Sequence, residues 1–358
     1  MTQTQARDSV TAERRPERRF SAAPVRRLSR NAHVQYVIFG ALLCLLPALA
    51  SAGGLGASTL STLAFVLIYA IVALGLNVLL GYSGLVSLGT AGFMGLGSYV
   101  AAYVQDDLEL GFWLALLLAL VVPTLIGILV GALSLRVRAI YLAIASLFVS
   151  EILLKTFEQL DWFTRGTAGK QSHYPVIFGM HTGRSSMFIV CVVALVLVMM
   201  LTYNATHGQL GRALHAMRSS EVAARAMGVN VLKYKLFAFA LATLYAGLGG
   251  ALYLFFLKSS YPSTWNLFLS LNVIAMVVVG GLRSIFGTVA GAFVIYAVPE
   301  LFLNKIPGFG DVPGLPYIFS GVLIIVVIMF FPEGLKGLAD LIVKGFRRLL
   351  RSGEAAAK

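Results

Sequence analysis

Residues 207–235 read HGQLGRALHAMRSSEVAARAMGVNVLKYK, a polar and basic segment that separates two long apolar segments. We expect this polar segment to lie outside a membrane, because its charged side chains favour water. Ser219 and Ser220 are residue types that begin helices, and Gly228 is one that ends them, so residues 221–227 are predicted to form a short helix. Such a helix is only marginally stable alone, because nucleation is costly, and it needs a surface to pack against.

The predicted helix carries small side chains that allow another surface to come close. They are Ala223, Ala224 and Ala226. A partner protein on the water-exposed side is the natural occupant, so the polar segment is predicted to be a docking site.

The composition of the chain is that of a membrane protein. Hydrophobic residues make up 58% of the sequence and the mean hydropathy is +0.85, far above soluble averages. A helix of about 20 residues crosses a hydrocarbon core of about 30 Å, and several apolar runs are too long and too continuous for barrel strands. We therefore predict an all-α polytopic membrane protein with ten transmembrane helices. The predicted spans are residues 35–51, 59–80, 87–104, 112–134, 139–157, 186–204, 235–257, 267–281, 286–303 and 316–332.

Basic tails flank the predicted membrane domain of residues 35–334. Residues 1–34 contain eight arginines and few apolar residues, and they are predicted to form a disordered cytoplasmic tail. Residues 335–358 are predicted to form a basic cytoplasmic tail. The paired arginines and the sequence LPALASA at residues 46–52 also fit a cleaved export signal, but the lengths of the tail and of the first apolar run favour a retained first helix.

The distribution of charge predicts the orientation. Lysine and arginine gather in cytoplasmic loops, and with the N-terminus inside, most of the 28 basic residues lie on the cytoplasmic side. The loop with Asp106, Asp107 and Glu109 is acidic and is predicted to be external. Two cytoplasmic termini require an even number of spans, in agreement with ten. The net charge of +13 therefore indicates membrane orientation rather than nucleic-acid binding.

Cysteine and histidine predict neither a disulfide nor a metal site. Cys44 and Cys191 lie inside apolar runs, where free cysteine behaves as a small hydrophobic residue. The five histidines are scattered without metal-ligand spacing.

Glycines crowd the segment NVLLGYSGLVSLGTAGFMGLGSYVAAYV at residues 77–104, above all within residues 81–97. Such a segment can contain a broken helix whose freed backbone groups meet a substrate in a translocation path, with Asn77, Tyr82 and Ser83 as polar candidates. Close packing of helices explains the same glycines. Both interpretations can hold together.

Glu151 lies inside the fifth predicted span. A carboxylate near a helix centre costs about 2.5–3.5 kcal/mol to insert, so it is expected to face protein or water rather than lipid. One interpretation places Glu151 in the translocation path. The other is an ion pair with Lys155, four residues further on, that only completes the outer end of the helix.

The largest external loop, residues 158–185, contains DWFTRGTAGK, with Trp162 and Phe163 at interface depth. It can receive a partner protein, or it can be an aromatic anchor followed by a flexible loop. Positions near Gly169 are expected to be accessible from outside, and positions near Ser220 are expected to be shielded.

Six motifs in a defined order connect the chain with one known family. They are GLNVLLGYSGLVSLGTAGFMGLGSY (75–99), IYLAIASLFVSEIL (140–153), TRGTAGK (164–170), GRALHAMRSSEVAARAMGVNVLKYKL (211–236), AGLGGALY (246–253) and VVVGGLRSIFGTVAGA (277–292). Together they resemble the membrane-spanning permease subunits of bacterial ABC importers for branched-chain amino acids. The closer likeness is to the second, longer permease of such systems.

The resemblance implies that residues 205–235 are a cytoplasmic coupling loop that docks into a cleft on an ATPase. The family pattern is Glu-Ala-Ala with a glycine downstream, and the matching positions here are Glu221, Ala223, Ala224 and Gly228, with Val222 inserted. The implied location is the bacterial plasma membrane. The implied partners are a second permease subunit, two cytoplasmic ATPase subunits and an external substrate-binding protein.

The sequence contains no G-x-x-x-x-G-K-[ST] phosphate loop. We therefore expect the partner subunits to use the ATP, and we expect this chain to be no enzyme and to hold no cofactor of its own.

Other functional classes fit the sequence less well. Importers of urea or short amides use similar permeases, so the solute stays open. A secondary transporter would need ionisable groups inside the spans, where Glu151 is nearly the only candidate. A membrane-embedded enzyme would need a catalytic cluster, and the sequence shows none.

Overall fold

The computed structural model describes residues 32–51, 56–134, 139–177 and 179–301, together with single positions between residues 318 and 337. The predicted N-terminal tail, the tenth predicted span and the C-terminal tail lie wholly or largely outside the described residues.

The described part of the chain is mainly helical. The helices are α1 (Ala32–Cys44), α2 (Leu46–Ser51), α3 (Ala57–Leu76), α4 (Thr90–Ala102), α5 (Phe112–Ser134), α6 (Ala139–Gln159), α7 (Asp161–Thr164), α8 (Arg184–His207), α9 (Gln209–Ser219), α10 (Glu221–Ala226), α11 (Val231–Leu257), α12 (Leu267–Gly280), α13 (Ile285–Ala292) and α14 (Val298–Leu301). Three further segments are π-helical and extend α3, α4 and α13: Asn77–Tyr82, Tyr103–Asp107 and Phe293–Ala297. Short 3₁₀ turns are found at Gly166–Ala168 and Pro262–Thr264.

The strands in the described residues form two short antiparallel pairs. β1 (Lys170–Gln171) pairs with β4 (Ser259–Ser260), and β2 (Val176–Ile177) pairs with β3 (Met180–His181).

The fold is that of an all-α, multi-pass membrane protein. Five helical stretches in the described residues are long and apolar enough to cross a membrane: Ser58–Tyr82, Phe112–Leu133, Arg184–His207, Val231–Leu257 and Pro262–Gly280. Helices α1, α2, α4, α6 and α13 lie at the other predicted spans that the structure describes. The count of ten spans stays a prediction.

Helix α11 lies at the centre of the bundle. It packs against α3, α4 and α5, and nearly all of its residues from Tyr245 to Phe256 are buried. Helix α5 lies at the edge instead. Its exposed apolar side chains recur every three or four residues, which is the spacing of one helix face, and this face suits lipid. They are Leu114, Leu117, Val121, Leu125, Leu129 and Leu133.

Glycines bring α4 and α11 into backbone contact. A Cβ atom added at Gly97 would overlap the carbonyl oxygen of Gly247, and one added at Gly250 would overlap the carbonyl oxygen of Met94. Small residues at such crossings let helices approach closely. Close packing is therefore what these glycines provide in the structure, whereas a place for the glycine-rich segment in a translocation path stays a prediction.

The loop that is predicted to be external contacts the π-helical end of α4. The Lys170 side chain is 2% exposed, pairs with Asp107 and lies 5.0 Å from the centroid of the Tyr103 ring. The rings of Trp162 and Phe163 pack on the same tyrosine, at centroid distances of 5.8 and 5.3 Å. These contacts hold the loop against α4, whereas an aromatic anchor at the membrane interface and partner binding by this loop stay predictions.

The predicted orientation can be tested with single cysteines in a variant that lacks Cys44 and Cys191. Gly169 is buried, so the external probe is placed at Thr167, which is exposed. In intact cells an impermeant maleimide is expected to label Thr167→Cys and to leave Ser220→Cys unlabelled until the membrane is permeabilised. The opposite labelling pattern would overturn the orientation.

Candidate functional site

The short helix of the polar segment is α10, and its first residue is the predicted one. Ser220 is the N-cap, because its Oγ accepts a hydrogen bond from the amide of Ala223 at 3.2 Å. Serine satisfies a free amide of the first turn in this way and favours helix formation at that point. The cap is therefore Ser220, and Glu221 is the first residue of the helix.

The end of α10 is set by Gly228, which has a φ of +81°. Its amide donates to the Arg225 carbonyl at 3.0 Å, and the amide of Val229 donates to the Ala224 carbonyl at 3.0 Å. This pair of hydrogen bonds is the Schellman motif, in which a residue in the left-handed conformation ends the helix. No atom lies within 4 Å of a Cβ added at Gly228, so the backbone conformation alone favours glycine.

Glu221 ties α10 to the central helix. Its carboxylate pairs with Lys235, near the start of α11, and lies 3.6 Å from the guanidinium of Arg225. The Lys235 side chain is only 6% exposed, whereas that of Glu221 is 40% exposed. Loss of the glutamate would leave a nearly buried ammonium without its anion, which is unfavourable.

The outer surface of α10 and its C-cap exposes two large apolar side chains beside Arg225, which is 67% exposed. Val222 is 79% exposed and Met227 is 84% exposed, whereas Ala224 is 3% exposed and packs inward. Sequence reasoning placed Ala224 on the docking face. The structure instead places Val222, Ala223 and Met227 outside. The signal that was missed is that residues 221–227 contain two large apolar side chains among alanines and charged residues.

Arg218, on α9, connects the polar segment with the end of α3. Its guanidinium donates to the carbonyl of Gly81 in the first π-helical segment, and a Cβ added at Gly84 would lie 3.4 Å from its Cγ. Desolvation and then the positive charge of Arg283 lower the pKa of the Arg218 guanidinium. The group remains a cation at neutral pH, because arginine does not lose its proton in proteins.

Asn77 is fully bonded within the protein. It is 2% exposed, and its Nδ2 donates to Thr288 Oγ1 at 2.7 Å and to the Ser284 carbonyl at 3.2 Å. Its Oδ1 accepts from the amide of Arg283 at 2.9 Å. The Tyr82 hydroxyl donates to the Arg283 carbonyl at 3.3 Å. Asn77 and Tyr82, two of the predicted path residues, therefore both contact the loop between α12 and α13.

The chain leaves the helical conformation between the first π-helical segment and α4, and several amides at and just after this break have partners in the protein. Serine hydroxyls of α6 and α12 accept from three of them, in the pairs Leu88–Ser146 at 2.9 Å, Ala91–Ser270 at 2.9 Å and Gly92–Ser150 at 3.1 Å. The third predicted path residue, Ser83, is buried and donates to the Leu79 carbonyl. A substrate would have to displace the serine hydroxyls to reach these amides, so the break does not offer three free donors.

Glu151 lies apart from these residues, on the outer side of α6. The predicted ion pair with Lys155 is wrong, because the Lys155 ammonium lies 2.6 Å from Glu158 instead. Within the described residues the Glu151 carboxylate makes no ion pair or hydrogen bond. The helix geometry allowed either carboxylate to reach the lysine, so the sequence alone could not decide between them.

The described residues contain no group of three or more His, Cys, Asp or Glu side chains that could hold a metal ion. A small cavity of about 10 Å³ lies beside Ser87 and Thr90. It has room for about one water molecule and is too small for a solute.

Sequence comparison identifies the class of this fold and site. Residues 58–328 match the family described as "Branched-chain amino acid transport system / permease component". The match covers well over half of the chain, and the chain belongs to this family. The family predicted from the motifs is therefore confirmed, and the chain is a transport permease component.

Individual relatives are named for one of two solutes, branched-chain amino acids or ribose. The high-affinity branched-chain amino acid transport system permease protein LivM of Salmonella typhimurium is 29% identical over 334 residues, which cover 86% of this chain and 75% of that protein. The probable branched-chain amino acid transport permease protein LivH of Methanocaldococcus jannaschii is 27% identical over 258 residues, covering 67% and 81%. The ribose import permease protein RbsC of Haemophilus influenzae is 26% identical over 268 residues, covering 72% and 79%.

The end of α10 can be tested by hydrogen–deuterium exchange. Gly228→Val is expected to speed exchange of the amides of residues 221–229 by roughly 5- to 30-fold, because the left-handed conformation costs a residue with a Cβ about 1–2 kcal/mol. Gly228→Asn is the matched control, since asparagine tolerates this conformation, and its exchange is expected to stay near that of the wild type. Equal exchange in all three proteins would show that the motif does not stabilise the helix.

Proposed function

We propose that this chain is one permease subunit of a bacterial ABC importer that moves branched-chain amino acids into the cytoplasm. Family membership supports the transport class, and the names of LivM and LivH relatives support the solute. The structural observation that carries the proposal is α10, a capped helix that exposes Val222 and Met227 from a polar segment. An apolar surface of this kind suits docking of a protein.

The proposed arrangement has ten spans in the bacterial plasma membrane, with both termini in the cytoplasm. The partners are a second permease subunit, two cytoplasmic ATPase subunits that use the ATP, and an external substrate-binding protein. The gathering of most lysines and arginines in the segments placed in the cytoplasm, with an acidic loop at Asp106, Asp107 and Glu109 outside, supports this orientation. The coupling loop is residues 205–235.

Two contacts make α9 and α10 suited to transmit movement of the ATPase. Lys235 ties Glu221 to the central helix α11, and Arg218 ties α9 to the carbonyl of Gly81 at the helix break. A shift of the docked ATPase would therefore pull on both the bundle centre and the break. Interfaces of this type have discrete packed states, and a partner can bias the equilibrium between them.

The four proposed coupling residues have different parts in this arrangement. Glu221 makes the tether, and Ala224 lets α10 pack closely on its own bundle. Ala223 places only a small side chain on the outer face of α10, and Gly228 ends the helix. Val222 and Met227 make the apolar contact with the ATPase.

The four proposed path residues also differ. Asn77 and Ser83 hold the helix break together through their internal hydrogen bonds. Tyr82 is half-buried and lies beside the same break. Glu151, which makes no ion pair or hydrogen bond among the described residues, is the one whose charge is available to another molecule.

Ribose import is the second candidate function, because a ribose permease is 26% identical over 72% of the chain. The longer alignment with a LivM protein, over 86% of the chain, favours amino acids. No relative reported above is named for urea or amides, which leaves that alternative as a weaker proposal.

The docking role of α10 predicts that a charge on its outer face uncouples the ATPase. Met227→Asp is expected to reduce co-purification of the ATPase and solute-stimulated ATP hydrolysis at least tenfold, since a buried unpaired carboxylate opposes association. Met180→Asp is the matched control, because Met180 is 71% exposed on the β3 strand of the external loop. Its ATPase activity is expected to stay normal. Normal coupling in Met227→Asp would make the polar segment an ordinary solvated loop.

The solute is tested by uptake into proteoliposomes that contain this chain, the permease and ATPase subunits encoded by neighbouring genes, and their binding protein. With ATP supplied on the ATPase side, radiolabelled leucine is expected to accumulate, and ribose and urea are not. Accumulation of ribose instead would assign the chain to the second solute class. Failure of the subunits to co-purify would contradict the importer proposal itself.

A further inference from the structure

Helices α5 and α6 follow each other in the chain and expose faces of different chemistry. The exposed face of α5 is apolar along its length. The exposed face of α6 combines Ile144, Phe148 and Ile152, which are 48%, 60% and 64% exposed, with Glu151 and Lys155.

Glu151 lies close to the middle of α6. The helix runs from Ala139 to Gln159, and 21 residues span about 31 Å, close to the thickness of a hydrocarbon core. Glu151 is two residues past the midpoint, or about 3 Å along the axis. Its carboxylate therefore lies at mid-depth if α6 crosses the membrane as proposed.

The opposite side of α6 is fixed, so the helix cannot turn Glu151 inward. Ser146 and Ser150 lie on that side, are buried, and accept the amides of Leu88 and Gly92. A rotation that buried Glu151 would break both hydrogen bonds and leave two amides unsatisfied in the bundle, which is strongly unfavourable.

The carboxylate also makes no ion pair or hydrogen bond on its own chain among the described residues, although the charge of Lys155, one turn away, acts on it. Lys155 pairs with Glu158, towards the outer end of the helix. An ionised carboxylate facing lipid at mid-depth is unfavourable, so residues of this kind face protein or water and pair with another group. The face of α6 therefore needs protein or water beside Glu151, whereas the apolar face of α5 suits lipid.

We propose that the outer face of α6 is the contact surface for the second permease subunit, and that this subunit presents a cationic or hydrogen-bond-donating side chain to Glu151. The inference rests on the proposed function and adds the location and chemistry of the subunit contact. Phe148 and Ile152 supply the apolar part of the surface, and Glu151 supplies the polar anchor.

A second copy of this chain fits the surface less well. Two copies related by a twofold axis along the membrane normal would place Glu151 opposite Glu151 at the same depth. Like charges repel strongly in a medium of low dielectric. A different chain with the complementary charge avoids this repulsion.

One described position lies just after the tenth predicted span of the same chain. A Cβ added at Gly334 would lie 2.6 Å from the Cα of Gly281, so the position that follows this predicted span lies beside the loop between α12 and α13. Coverage of α6 by that span is one of the outcomes that the experiment below detects.

The contact is tested by placing the photoreactive residue p-benzoylphenylalanine at position 148 or at position 125 of the full complex in native membranes. Phe148 on α6 is expected to give a cross-link to the second permease subunit. Leu125 on α5, which is 59% exposed, is the matched control and is expected to give none. A cross-link from position 148 to a second copy or to the tenth span, or equal cross-linking from both positions, would overturn the inference. If the subunits co-purify while position 148 gives no subunit cross-link, only the inference fails, and the proposed function stands.

The polar anchor is tested separately with Glu151→Gln. This change leaves the partner's cation without its anion, so recovery of the second subunit in the purified complex is expected to fall by about 30-fold or more. Glu109→Gln is the control, because Glu109 is an exposed carboxylate outside α6, and recovery is expected to stay normal. Normal recovery with Glu151→Gln would overturn the proposed role of this carboxylate.

Discussion

The structure depends on satisfying the backbone groups that become free where α3 and α4 are separated. Inside a bilayer no water replaces a lost helical hydrogen bond, so every such group needs a partner in the protein. Serine hydroxyls of α6 and α12 accept the amides of Leu88, Gly92 and Ala91, and Arg218 donates to the carbonyl of Gly81. The irregular segment between α3 and α4 thus joins α6 and α12 to the polar segment.

The same constraint explains why the polar segment is coupled to the core. Arg218 reaches the break because the Gly81 carbonyl has left the regular helical pattern and needs a donor. The ion pair of Glu221 with Lys235 adds a second connection, to the helix at the bundle centre. On the proposed function, an ATPase bound to Val222 and Met227 would act on two rigid attachments rather than on a flexible loop.

The features predictable from the sequence are those with local causes. Ser220 and Gly228 set the ends of α10 through hydrogen bonds within a few residues, and continuous apolar runs gave the helices of the described spans. The inward position of Ala224 and the choice of Glu158 by Lys155 depend on neighbouring elements and side-chain rotamers. The serine partners of the break come from residues far along the chain, and no local pattern indicates them.

The backbone contact between α4 and α11 has a mechanical result. With Gly97 against Gly247 and Gly250 against Met94, the two helices have no compressible layer of side chains between them at these crossings. Sliding of α4 along α11 would press backbone atoms together, so we expect the two helices to move as one rigid unit. Bending is then left to segments where the hydrogen-bond pattern already changes, such as the π-helical residues Asn77–Tyr82 and Tyr103–Asp107. These π-helical segments adjoin the stiff helix pair, so we expect the bundle to bend there.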